Sequence, residues 1–172
     1  MDCWNDMLKT IKAGTLRAGN ARFAVVASQY NARYVDAMLE AATAELKRAG
    51  AAEVQVVRVP GAYEIPVVAA RLARTGSPHA TRNTQHATRL SAIICLGVIL
   101  RGQTVHAAHI GEAVSRALME IQVQCEVPVI HEVLLLENEQ QARARCLNPK
   151  RNRGREAAQT ALAMARVMSG LA

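Results

Sequence analysis

The chain has 172 residues, a formal net charge of +7, 51% hydrophobic and 20% charged residues, which excludes a disordered polyelectrolyte and suits one domain with its own core. Its longest apolar runs, such as 92–100, fall far short of the roughly 20 residues that span a membrane. Aromatics make up 3% against 32 alanines, so the core must rely on small side chains that let helices lie close to what they cover, and a core this thin gains by assembly.

Residues 1–20 place Trp4, Met7, Leu8 and Ile11 at helical spacing and read as an arm or short amphipathic helix. The segment mixes acidic, basic and apolar residues without the apolar stretch of a signal peptide, so a reducing cytoplasm is the expected location. From residue 21 a single domain to 172 is expected. Short β-branched runs at 23–27, 54–59, 92–96 and 129–135 alternate with helical patterns over 32–49, 65–74, 105–125, 139–146 and 154–168. Near-continuous apolar strands crossed by helices predict a four-stranded parallel sheet covered on both faces, an α/β/α sandwich of flavodoxin-like kind. The segment 77–90, in which His79-Ala80-Thr81-Arg82 recurs as His86-Ala87-Thr88-Arg89, breaks that rhythm and reads as an exposed, solvated insertion. Cys3, Cys95, Cys125 and Cys146 form no C-x-x-C pair and no ligand spacing with histidine, which argues against zinc or a redox dithiol and for free thiols.

Ligands of an open parallel sheet gather beyond the carboxyl ends of its strands, and four segments there stand out. Ser28-Gln29-Tyr30-Asn31 puts an aromatic and an amide on the rim, suited to stacking on a planar ring or to lidding the following helix. Val59-Pro60-Gly61-Ala62-Tyr63-Glu64-Ile65-Pro66 is a sharp turn into a helix start, with Glu64 able either to hold a polar ligand or to complement the helix dipole. The segment Val98-Ile99-Leu100-Arg101-Gly102-Gln103-Thr104-Val105-His106 runs from strand through glycine into the longest helix. Its amides and the Thr104 hydroxyl suit an anion, and the helix dipole favours a neutral His106 as proton acceptor. The fourth is the basic run of Arg143, Arg145, Lys150, Arg151, Arg153 and Arg155. It lacks the aromatics that stack nucleic-acid bases, which favours a small phosphorylated substrate over RNA.

Taken together, SQYN, VPGAYEIP, RGQTVH, CEVPVIHEVL and NRGREAAQTALAMA resemble, in this order and at matching separations, the motifs of the lumazine synthases of riboflavin biosynthesis, over about residues 22–168. The resemblance implies condensation of 5-amino-6-(ribitylamino)uracil with 3,4-dihydroxy-2-butanone 4-phosphate, giving 6,7-dimethyl-8-ribityllumazine, phosphate and water, with no cofactor and no metal. It implies His106, Arg145 and Glu156 as catalytic residues: the proton-transfer histidine, the phosphate-binding arginine and the acidic residue near the histidine. It implies substrate binding by Tyr30, Asn31, Gly61, Ala62, Tyr63, Glu64, Val98, Ile99, Leu100, Gly102, Gln103, Thr104 and His131. Tyr30 would stack on the pyrimidine, Ala62 and Glu64 would hold the ribityl chain and ring, and Gln103 and Thr104 would bind phosphate. The implied partners are these small molecules and further copies of the chain, in a pentamer or a pentamer-based icosahedral shell whose sites lie between subunits, with neither membrane nor nucleic acid.

The sequence departs from the family pattern in three places. His106-Ala107-Ala108-His109 stands where the histidine is usually followed by aromatics, His131 stands where an aromatic usually covers the ring from the neighbouring subunit, and Pro149 replaces a lysine. The thinned aromatics at Ala107 and His131 leave open a catalytically weak paralogue that binds a lumazine or flavin without forming product, and Pro149 leaves open the higher-order assembly. The arginine-rich run leaves open an RNA-associated structural protein, which would bind nucleic acid with a steep salt dependence.

Overall fold

A computed structural model describes residues 16–75 and 89–171; most of the expected arm and of the 77–90 insertion falls outside them. The elements follow in the order β1 (Arg22–Ser28), α1 (Ala32–Arg48), β2 (Glu53–Val59), α2 (Ile65–Arg74), β3 (Ala92–Leu100), α3 (His106–Cys125), β4 (Val129–Leu136), α4 (Glu139–Ala142) and α5 (Arg153–Ser169). All strand pairs are parallel, in the order β2-β1-β3-β4. This is the flavodoxin-like α/β sandwich that the alternation of strands and helices predicts.

Side chains alternate across the sheet, so each strand feeds two cores. Phe23, Val25 and Ala27 of β1, with Ile94 and Leu96 of β3, pack beneath α1, α4 and α5 against Val35, Met38, Leu46, Ala158 and Leu162. Ala24, Val26, Ile93 and Cys95 face the opposite layer, where Ile65 and Ala69 of α2 and Val114 and Leu118 of α3 cover them. Cys95, Cys125 and Cys146 are free thiols. Burial raises the pKa of the Cys95 thiol, and burial next to Glu132 raises that of Cys146 to about 11.

The structure differs from the sequence expectation at three elements. β3 continues past residue 96 because Val98, Ile99 and Leu100 pair with Leu134, Leu135 and Leu136 of β4. The helix expected over 139–146 is one α-turn followed by a wider π-turn, Arg143–Leu147, which leaves both Ala142 and Cys146 fully buried. At the end of the expected insertion, Leu90 is buried and the Arg89 guanidinium donates to the carbonyls of Cys125 and Glu126 at 2.8 and 2.6 Å, capping the C-terminus of α3.

α5 is seated on α1 more closely than any side chain permits. A Cβ built on Gly154 would lie 1.9 Å from the Met38 carbonyl oxygen, so only glycine fits. Asn152 fixes the approach: its side-chain oxygen accepts from the N–H groups of Gly154 and Arg155, and its amide donates to the carbonyls of Ala37 and Cys146. Gly154→Ala should therefore lower unfolding free energy by about 3 kcal/mol through overpacking against backbone that cannot yield, read as a reduced urea midpoint at fixed protein concentration.

Candidate active site

The strand order changes direction between β1 and β3, and a crevice must open where the chain leaves these neighbours toward opposite sides. There the structure has a cavity of about 710 Å³ lined by Tyr30, Asn31, Gly61, Ala62, Tyr63, Glu64, Val98, Ile99, Leu100, His106, His109, Ile110 and Ala113. Four chain segments distant in sequence meet at its walls.

Local geometry explains why. Asn31 takes the left-handed conformation, φ 57°, which an asparagine tolerates better than most residues, and its amide donates to the Val98 carbonyl at 2.8 Å. The turn after β1 is thereby tied to the end of β3. The N–H groups of Gln29 and Tyr30 donate to Pro60 O, tying the same turn to the loop after β2. In that loop Glu64 accepts from the Gly61 N–H at 2.8 Å, which engages one carboxylate oxygen and leaves the other for the cavity. A Cβ on Gly61 would sit 3.0 Å from the Tyr30 ring and 2.9 Å from the Glu64 carboxylate, so glycine lets ring and carboxylate close over the loop together. The Tyr30 side of the cavity is open: the residue is 72% exposed, leaving a ring face available for stacking.

His106 opens α3 and lies on the cavity wall with His109, Ile110 and Ala113. The last three are one helical face at spacings of three, four and seven from His106, a periodic signal present in the sequence but not used in choosing site residues. Gly102, Gln103 and Thr104 are exposed in the connection before α3 and do not line the cavity. They precede a helix N-terminus that has no side-chain cap, whose free N–H groups remain available to an anion.

The other expected site residues, His131, Arg145 and Glu156, gather at the β4 edge of the sheet. Glu132, 5% exposed, receives a two-pronged contact from Arg153, Nε at 2.9 Å and Nη2 at 2.8 Å. The remaining Arg153 nitrogen reaches Glu156 at 2.6 Å. Burial raises the Glu132 pKa against the pull of Arg153, and Arg145 is close enough to lower it in part. His131 and Glu132 border a recess of about 530 Å³ with Arg153, Thr160, Met164 and Met168 among its walls. The His131 ring bonds Ser115 through Nε2 at 2.8 Å. Ser115 already donates to Gly111 O, so its oxygen accepts from His131 and the Nε2–H tautomer is set. Crowding by the surrounding chain lowers the His131 pKa, which favours this neutral ring.

One chain thus carries two groups of expected residues, one in the crevice and one at the β4 edge. Sequence reasoning missed Glu132, which sits inside an apolar strand, and gave Arg153 no role of its own, placing it within a basic run and the motif NRGREAAQTALAMA.

Residues 20–169 match the family described as 6,7-dimethyl-8-ribityllumazine synthase. Relatives of that name include those of Xanthomonas oryzae pv. oryzae (strain PXO99A), 40% identical over 90% of this chain and 94% of the relative. The protein of Xanthomonas campestris pv. campestris (strain B100) is 41% identical over the same shares. That of Xylella fastidiosa (strain 9a5c) is 40% identical over 92% of this chain and 96% of its own length. Near-complete coverage in both directions, on a sheet whose crevice carries the ordered motifs, means that the chain belongs to the 6,7-dimethyl-8-ribityllumazine synthase family.

Proposed function

We propose that the protein condenses 5-amino-6-(ribitylamino)uracil with 3,4-dihydroxy-2-butanone 4-phosphate, releasing phosphate and water, as a cytoplasmic enzyme of riboflavin formation. What carries the reading is the crevice at the strand-order reversal, where an exposed Tyr30 ring, the Glu64 carboxylate and the His106 imidazole line one recess.

In this reading the pyrimidine stacks on Tyr30, and the backbone of the 61–64 loop with the second Glu64 oxygen holds the ribityl chain. Imine formation, loss of phosphate and ring closure each require a proton to move. His106 carries those protons beside the uncapped start of α3, where Gln103 and Thr104 receive the phosphate. Arg145 stabilises the departing phosphate, and Glu156 supplies the acidic partner of His106. Since Arg145 and Glu156 lie at the β4 edge and outside the cavity lining, the site is completed by a second copy, whose β4 edge covers the crevice of the first. Repeated around a ring, such a heterologous contact closes into the pentamer.

Purified protein given both substrates should develop lumazine fluorescence with phosphate release; correctly assembled protein that yields neither would overturn the reading. Arg145→Ala should cost more turnover than His106→Ala, because alignment of two intrinsically reactive substrates leaves less work to the proton carrier than to the phosphate site. Steady-state rates of the two variants decide the order. Co-assembly separates a shared site from an internal one. Random rings of His106→Ala and Arg145→Ala chains should regain about a quarter of the wild-type turnover, since one in four neighbouring pairs joins two intact halves. Rings no more active than the average of the two pure variants would place both residues in one copy's site.

A further inference from the structure

Within the Glu132–Arg153–Glu156 cluster, only Glu156 has a role assigned so far. Glu132 is a carboxylate on the sheet face that otherwise carries Ile130, Leu134 and Leu136 into the α1/α5 core. Neither a core position nor a solvated one calls for an acid there, and burying a charge against a single partner is at best neutral for stability. The geometry is nevertheless specific. Arg153 presents the long edge of its guanidinium to both Glu132 oxygens and its remaining nitrogen to Glu156. A planar fork held at two points cannot turn about its own axis, so the Glu156 carboxylate receives its hydrogen bond along a fixed direction. The backbone under Arg153 is equally fixed, lying between the buried Asn152 cap and the Gly154 contact with Met38.

We propose that Glu132 is a positioning residue for the condensation: by clamping Arg153 it aims the Glu156 carboxylate. The inference rests on the condensation proposed above and on Glu156 as an acid in it. Glu132 touches no substrate; it acts through Arg153. Without its charge the Arg153 fork becomes free to rotate, which misplaces Glu156.

The test uses assembled enzyme. Wild-type turnover is measured first, since its absence would defeat the condensation itself rather than the role of Glu132. With active wild type, Glu132→Gln should lower kcat about tenfold with little change in KM for the ribitylaminouracil, as a misaimed group on an otherwise intact site does. Glu132→Asp, keeping the charge on a shorter arm, should restore part of kcat. Arg153→Met should lose as much as Glu132→Gln, and the double variant no more than either alone, because the two act as one unit. Wild-type kcat in assembled Glu132→Gln would overturn the proposal. Should Glu132→Gln fail to assemble, Glu132→Met combined with Arg153→Leu removes both charges together: lowered kcat in the assembled double variant supports the clamp, and wild-type kcat refutes it.

Discussion

The contact of α5 with α1 at Gly154 is the constraint on which the rest of the arrangement turns. A backbone-to-backbone approach with no Cβ between allows no sliding, because any translation along α1 runs the following side chains into the Met38 carbonyl. The buried Asn152 side chain closes the junction on four backbone groups, two N–H donors in α5 and two carbonyls outside it. Ala157, Ala158 and Ala161 continue the seam, all fully buried. The alanine excess in the composition is thus spent on closeness: small residues thin the layer so that the start of α5 lies at a fixed height above β3 and β4. Arg153, set between Asn152 and Gly154, inherits that fixed height, and with it the direction in which its guanidinium meets Glu132 and Glu156.

On the other side of the sheet the crevice is held by different means. No close helix approach is needed, since the two loops that wall it are tied to the end of β3 and to each other, Asn31 to Val98 and Tyr30 to Pro60, while Glu64 closes back on Gly61. The strand order makes β1 and β3 neighbours while their exits diverge, so these ties hold the mouth open at a set width. The two groups of residues are attached to one rigid sheet through β1–β3 pairing on one side and β3–β4 pairing on the other. In the proposed assembly a second copy docking its β4 edge over the crevice would bring together two halves that are each already ordered, with little conformational entropy left to lose at the shared surface.

Sheet, helix order and crevice were legible because they depend on periodicity and on turn chemistry, which are local. The run 92–96 fixed the place of β3, and Pro60-Gly61 with Pro66 fixed the start of α2. The additional length of β3 was not legible, because Val98 to Leu100 become strand only through their partners in β4. The π-turn at Arg143–Leu147 likewise answers to a distant requirement, the burial of Cys146 beneath the Asn152 amide. His109 could have been read from its spacing to His106; Glu132 could not, since an acid in an apolar strand acquires meaning only from an arginine 21 residues on. Arg153 was similarly hidden among cations that, taken as a run, differ in nothing but their neighbours in space.

Two buried glutamates show why Glu132 calls for a positional account. Glu45 and Glu132 are 8% and 5% exposed, and each pairs with an arginine. For Glu45 the Arg48 hydrogen bond outweighs burial and lowers the pKa. That carboxylate stabilises the fold above its unfolded-state pKa and loses the contribution as pH falls through its folded value. For Glu132 burial outweighs Arg153 and the pKa is raised. The sign reverses: as pH rises from the unfolded value through the folded one, ionising Glu132 makes the folded state less stable relative to the unfolded chain. Near neutral pH the Glu45 charge therefore supports the junction of α1 with α5, where Gln159 also reaches it, whereas the Glu132 charge is carried at a cost. That cost is concentrated on the one side chain that grips Arg153 at two points, and a clamp on the direction of Glu156 is what the same charge provides.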